Sequence, residues 1–201
     1  MKKALFAQTS CIILSAGSST RMGAHKALLK YDAEKTFIEK ITETYSLAGI
    51  EHVIVVINPE LFKLVSKSSL VFSEKVKLVV NGKPELGRFY SFQTGVKHLN
   101  IGKSFFFQNI DNPSTTIELL NELIIHKDAA DVILPAFQGK TGHPVLVSKK
   151  VTRDILLATN TEFRIDEFLG KYETLKVESA DKSILTNINS PADLSAAGLG
   201  V

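Results

Sequence analysis

Short apolar runs alternate along this chain with longer segments whose apolar residues recur every three or four positions. The runs at 11–14, 53–57, 76–80, 104–107 and 132–134 are rich in β-branched or aromatic residues and read as buried strands. Between them, 36–48, 59–68, 90–99 and 114–126 read as helices. In 36–48 the apolar positions Phe37, Ile41, Tyr45 and Ala48 share one helical face, and Gly49 follows as a stop. Asn58 is placed to cap the helix that Pro59 opens. Ser114 is the expected cap of the next, whose apolar face is Ile117, Leu120, Leu123 and Ile124.

Strand and helix repeated in this way predict right-handed crossovers and a three-layer α/β fold: a mostly parallel, Rossmann-like sheet with helices on both faces. The last third is less regular. It reads as a strand at 145–147, a helix at 149–158, a strand at 175–178 and a closing helix at 191–197. No linker, repeat or low-complexity tract interrupts the pattern, so one domain over 1–201 is expected. In such sheets ligands sit beyond the carboxyl ends of the strands, which directs attention to the loop at 15–26 and to the segments after Val80, Phe107 and Leu134.

Composition narrows the class of ligand. Lysine and arginine number 24 against 21 acidic residues, a formal charge of +3 on 201 residues. With the basic residues scattered, nothing resembles a nucleic-acid stripe, and a small phosphorylated ligand fits better. The single cysteine, Cys11, lies in an apolar run, has no internal partner for a disulfide and points to a reducing compartment. The first seven residues have the look of a secretion signal, but Gln8, Thr9 and Ser10 break the apolar stretch. No run approaches the roughly twenty apolar residues of a membrane span. A cytoplasmic protein is expected, free of membrane contact, monomeric or weakly homo-oligomeric.

The loop after the first strand carries the chemistry. Leu14, Ser15, Ala16 and Gly17 lead into Ser18, Ser19, Thr20, Arg21, Met22 and Gly23, and Lys26 follows after Ala24 and His25. Backbone N–H groups, hydroxyls and two cations in one turn suit a phosphate. A P-loop needs glycine directly before its lysine, and a dinucleotide loop needs glycines two and five residues beyond Gly17; neither spacing is present. The alternative is a glycine- and serine-rich turn with a solvated arginine.

The full pattern of strand, Ala-Gly, hydroxyls, Arg-Met-Gly, Lys and two leucines resembles the opening of the MobA/MocA-like nucleotidyltransferases. Later blocks keep the family's order. Asn81 with Gly87-Arg-Phe-Tyr-Ser91 is similar to its Asn and Gly-x-x-x-Ser segment, Asp111-Asn-Pro113 to its Asp-x-Pro and Gly142-His-Pro144 to its Gly-His-Pro. Asn187-Ile-Asn-Ser-Pro-Ala-Asp193 is similar to its Asp-Ile-Asp-Thr-Pro-x-Asp. The resemblance spans residues 12 to about 194 and implies a glycosyltransferase-A-like nucleotidyltransferase fold.

It also implies an activity: a phosphate oxygen of a small-molecule acceptor attacks the α-phosphorus of an NTP, and pyrophosphate leaves. Such a reaction asks the protein chiefly for alignment and charge neutralisation. Arg21 and Lys26 would serve as catalytic cations. Leu14 to Ser19, Asn81, Gly87 and Ser91 would bind the nucleotide, and Asp111 would hold Mg²⁺. Asp111 could instead cap a turn. The MocA-like branch usually has aspartate where Asn187 and Asn189 stand. Asn189 is expected as the second metal ligand through its carbonyl oxygen, or else merely as the cap of the helix near Pro191.

His143 and Arg164 are expected on the acceptor side. Asn160 and Glu162 replace the family's aspartate and second glycine just before Arg164, so a molybdopterin acceptor does not follow. Ser15-Ala16-Gly17 matches the cytidylyl-transferring pattern rather than the Gly-Gly of guanylyl-transferring relatives, which favours CTP. The three asparagines at 160, 187 and 189 also motivate a rival reading, a nucleotide-binding module without catalysis. Sugar-1-phosphate nucleotidyl transfer is a third, resting on the Asp/Asn pairing alone.

Overall fold

The computed structural model describes residues 2–17, 22–99 and 102–200. In chain order it contains α1 (Lys2–Ala7), β1 (Thr9–Ser15), α2 (Phe37–Ala48), β2 (His52–Ile57), α3 (Pro59–Ser66) and β3 (Val76–Val80). Then come α4 (Gly87–Val96), β4 (Ser104–Asn109), α5 (Ile117–Ile124), β5 (Val132–Phe137), β6 (Lys140–Thr141) and β7 (Val145–Val147). The chain closes with α6 (Lys149–Leu157), α7 (Ile165–Leu169), β8 (Thr174–Glu178) and α8 (Pro191–Ala196).

Strands β3, β2, β1 and β4 are neighbours in that order and all parallel. In β2, β1 and β4 the side chains alternate between two buried layers, while β3 at the edge buries only Val79. Cys11 and Ile13, Val53, Val55 and Ile57, and Phe106 pack on one face against α1, α2, α3 and α5. Ile12 and Leu14, Ile54 and Val56, and Phe105 and Phe107 pack on the other against α4, α6 and α7. Burial on both faces is why these strands read as unbroken apolar runs rather than alternating ones.

The expected strands and long helices are all present, with shifts at their ends. β1 begins at Thr9, because Thr9 and Ser10 are buried and Thr9 Oγ1 donates to the Leu5 carbonyl at 2.9 Å. The polar residues that break the apolar stretch in sequence thus open the strand, while the preceding segment is helix α1, with Phe6 against Phe106. Asn58 caps α3 as expected, accepting from Leu61 N at 2.8 Å. The cap of α5 is Thr116, not Ser114. Among the described residues no helix is long and apolar enough to cross a membrane.

The second half departs from simple strand–helix alternation. β7 lies antiparallel between β4 and β5, and β8 pairs parallel to the far edge of β5. β5 pairs with β7 at Val132 and Ile133 and with β6 at Ala136 and Phe137. Between these pairings stands Pro135, which has no N–H to give to a ladder. There residues Gly142 to Pro144, including a cis His143–Pro144 peptide, separate β6 from β7. Gly142 is required at this point: a Cβ would collide with the Ile184 carbonyl.

Candidate active site

Parallel strands deliver their following residues to one end of the sheet, and the chain changes direction between β1 and β4. Strand order 3-2-1-4 means that the walk from β1 to β2 and β3 goes one way and the next strand lies on the opposite side of β1. A crevice opens at such a switch point beyond the carboxyl ends. Ala16 and Gly17 leave β1 there, and Ile110 N bonds the Leu14 carbonyl at 3.1 Å, which sets Asp111 beside them. Asn58 adds a tie, its Nδ2 donating to the Ala16 and Gly17 carbonyls at 3.4 and 3.3 Å. Ser18, Ser19 and Arg21 lie outside the described residues.

Lys26 opens a short 3₁₀ turn, and its side chain meets two residues far away in sequence. Nζ donates to Asn189 Oδ1 at 2.6 Å and stands 3.7 Å from Asp111 Oδ2. The other carboxylate oxygen, Asp111 Oδ1, is buried with no hydrogen-bond partner among the described residues. A buried carboxylate oxygen left so is costly unless a cation reaches it. Together with Asn189 Oδ1 it makes a pair of hard oxygen donors of the kind that holds Mg²⁺ or Mn²⁺. The residues therefore fit a divalent ion. Ser190 takes the capping role at α8, accepting from Asp193 N, so Asn189 is not that helix's cap.

Two features bring Asn189 to Asp111 across 78 positions. Ile188 N donates to the Asp111 carbonyl at 2.7 Å. Asn112, fully buried, gives its amide N–H groups to the carbonyls of Thr186 at 2.7 Å and Ile184 at 3.2 Å. Gln108 anchors Asn112 in turn, donating to its carbonyl at 2.6 Å, while Gln108 Oε1 accepts from Tyr45 and Thr115. Asn189's own amide is held by Asp193, whose carboxylate accepts from Asn189 N and Ser190 N at 2.9 and 2.8 Å. Those bonds hold the Asp193 carboxyl below its ordinary pKa.

Replacing Asn112 by leucine is expected to cost about 1–3 kcal/mol, because buried carbonyls lose their donors. Urea midpoints measure that loss.

A cavity of about 920 Å³ opens from Asp111 and Asn189. His143, on the segment that Pro135 frees from β5, enters it and packs edge-on to Phe107. Arg88 Nη2 donates to Asn109 Oδ1 at 2.9 Å, and Asn109 Nδ2 meets His143 Nε2 at 2.8 Å. Burial pushes the His143 pKa down, and Arg88's charge adds to this. The Asp111 carboxylate and the Phe107 backbone oppose it, while His143 Nδ1 is buried with no hydrogen-bond partner among the described residues. Arg164 lines the same cavity at an exposed position, bound to Asp166 at 2.8 Å and close to Glu167 at 3.5 Å.

Asn81 and Ser91 are buried and bonded to each other at 2.9 Å, and Asn81 Oδ1 accepts from Lys83 N. They shape the turn that leads into α4, where Gly87 has φ +88°, a conformation other residues rarely adopt. Their side-chain bonds are thus made within the protein.

Sequence reasoning passed over Asn109, Arg88, Asn112 and Asp193 as functional positions. One signal was present for Asn109: it is the last residue of the strand that delivers Asp111, polar at the end of an apolar run. A second depression, about 460 Å³ in volume, lies at the opposite end of the sheet near the start of β4. Its Lys127 and Lys150 are already paired with Asp128 and Asp131.

Comparison with known proteins gives a consistent picture. Residues 11–175 match the MobA-like NTP transferase domain. A protein of Natranaerobius thermophilus named "Probable molybdenum cofactor guanylyltransferase" is 30% identical over 201 residues, covering 94% of each chain. The molybdenum cofactor cytidylyltransferase of Escherichia coli K12 is 27% identical over 188 residues, covering 91% of this chain and 92% of its own. Among solved structures, Rv0371c of Mycobacterium tuberculosis H37Rv in complex with manganese shares the fold at a TM-score of 0.72. It is 16% identical, with 94% of this chain and 97% of that one covered.

Proposed function

Because the chain belongs to the MobA-like NTP transferase family, we propose that it transfers CMP from CTP to the phosphate of a small-molecule acceptor. Nucleotidyl transfer is the family's reaction type, and the identities of base, metal and acceptor are the finer reading. The observation that carries it is the Lys26 ammonium held between Asn189 Oδ1 and Asp111 Oδ2 at the mouth of the cavity.

In the reaction an acceptor phosphate oxygen attacks the α-phosphorus of CTP. A new P–O–P bond forms as the bond from the α-phosphorus to the β-phosphate's bridging oxygen breaks. Pyrophosphate departs with that electron pair. Lys26 brings a positive point charge to the α-phosphate, where negative charge gathers, and Asp111 with Asn189 keeps that ammonium in place before the nucleotide arrives. Arg21 is assigned to the departing phosphates as a forked donor. Gly17 and the hydroxyl residues after it line the triphosphate, and the turn between Asn81 and Gly87 faces the nucleoside. Asp111 and Asn189 would hold Mg²⁺, which when bound offsets charge on phosphate oxygens. His143 lies on the acceptor side.

Choice of base rests on Ala16. Its methyl, buried at the end of β1, narrows the space that a purine would need. Pyrophosphate release measured across the four NTPs with phosphorylated acceptors should rank CTP first. Ala16→Gly should raise use of GTP relative to CTP about tenfold, the scale of one methyl group in a pocket. A wild-type preference for GTP would refute the base assignment. Tight CTP binding with no pyrophosphate released for any acceptor would refute transfer and leave a binding module.

A further inference from the structure

The described lining of the cavity beyond Asp111 contains two cations, Arg88 and Arg164, and they stand in opposite states. Arg164 is bound through both Nε and Nη2 to the Asp166 carboxylate, with Glu167 close by, so its charge is answered at the rim. Arg88 has a different partner. Its one side-chain bond among the described residues goes to the neutral amide of Asn109. Four of its five N–H donors are left over, and a guanidinium does not lose its proton at any ordinary pH.

Asn109 turns this into a directional arrangement. Arg88 can only donate, so the amide must present Oδ1 to it, and Nδ2 then faces His143. Nδ2 can only donate, so His143 Nε2 must accept and the ring carries its proton on Nδ1. The imidazole is therefore held neutral, and the positive charge at this end of the cavity is concentrated on Arg88.

Part of the remaining wall is apolar, with Val132, Leu134, Val145 and Leu169, and part is polar, with Thr141, Thr174 and Asn187; the half-exposed ring of Phe163 carries the Lys171 ammonium 4.4 Å from its centre. Phe163 is fixed edge-on against Phe89 at 5.6 Å.

From this juxtaposition we propose that Arg88, not Arg164, receives the anionic head of the acceptor. The acceptor itself is a phosphate carried on a body with an apolar side that lies along Leu134. Asn109 is a positioning residue, aiming the Arg88 fork and fixing the His143 tautomer together. This assignment rests on the transferase reading above, because it places the acceptor phosphate beside Asp111.

Phenyl phosphate is a suitable probe, titrated into the full-length ¹⁵N-labelled protein while the Asn109 side-chain amide signals are followed. The wild type should bind it at least about tenfold more tightly than inorganic phosphate, and benzyl alcohol should not shift the signals. Arg88→Met should weaken phenyl phosphate binding about tenfold or more, the scale of a lost charged hydrogen bond. Arg88→Lys should recover only part, and Arg164→Met should change it less than threefold. CTP affinity, measured by calorimetry, should be equal in the wild type and Arg88→Met.

Unchanged phenyl phosphate binding in Arg88→Met, loss of binding in Arg164→Met, or no binding to the wild type would each overturn the proposal. Equal affinity for inorganic phosphate would overturn the apolar side. Arg88-dependent binding in a protein that binds no CTP would overturn the transferase reading and leave the Arg88 site standing.

Discussion

Lys26→Ala should lower nucleotidyl transfer about a hundred- to a thousandfold, the range seen when one preorganised charge or donor is taken from a transition state. The fold should barely respond. Lys26 sits on a short 3₁₀ turn rather than in a core layer, and its bond to Asn189 is only partly buried. Single-turnover pyrophosphate release separates chemistry from binding, and a circular-dichroism melt monitors the fold. Lys26→Arg should recover little, because a planar fork cannot reproduce a compact ammonium between Asn189 and Asp111. Turnover within threefold of wild type in Lys26→Ala would remove the role assigned to this residue.

The second large effect concerns Asp111. Asp111→Asn should lower turnover about a thousandfold and weaken activation by Mg²⁺ or Mn²⁺, because the buried Oδ1 loses its charge. This substitution is a clean test. The bond that ties the two halves of the site uses the Asp111 backbone carbonyl, which accepts from Ile188 N and is untouched by a change of side chain. Asn189→Asp should act in the opposite sense, tightening metal activation by adding a second carboxylate beside Lys26. Full turnover with an unaltered metal titration in Asp111→Asn would refute the metal-holding assignment.

Much of this architecture was legible in the chain because it depends on local rules. The runs that became β1, β2 and β4 are apolar at every position, which a strand buried on both faces demands. The spacing of Phe37, Ile41, Tyr45 and Ala48 set the buried face of α2, and Gly49 ended it in a left-handed conformation. The place of Asp111 just past a strand end and the family likeness were also readable. Each rests on residues close together in sequence. The end of a parallel sheet then gathers such loops, whatever lies between them.

The rest was set by contacts between distant segments, for which no short spacing exists. Whether Asn189 caps a helix or faces Lys26 could not be read from Asn-Ser-Pro, since either residue before the proline can cap. The structure gives that job to Ser190 through Asp193 and turns Asn189 toward the lysine. The antiparallel insertion of β7 between β4 and β5, which carries His143 to Asn109, joins strands that lie far apart in sequence. Arg88 looked like one residue in a helix-opening block, and only the packing of α4 on the sheet gave it, among the described residues, a neutral partner in Asn109. Sequence alone determined the layers and the helix ends, because hydrophobic period and turn chemistry are local. Tertiary structure decided which polar groups share the site, because their hydrogen bonds join residues that only the folded sheet brings within 3 Å.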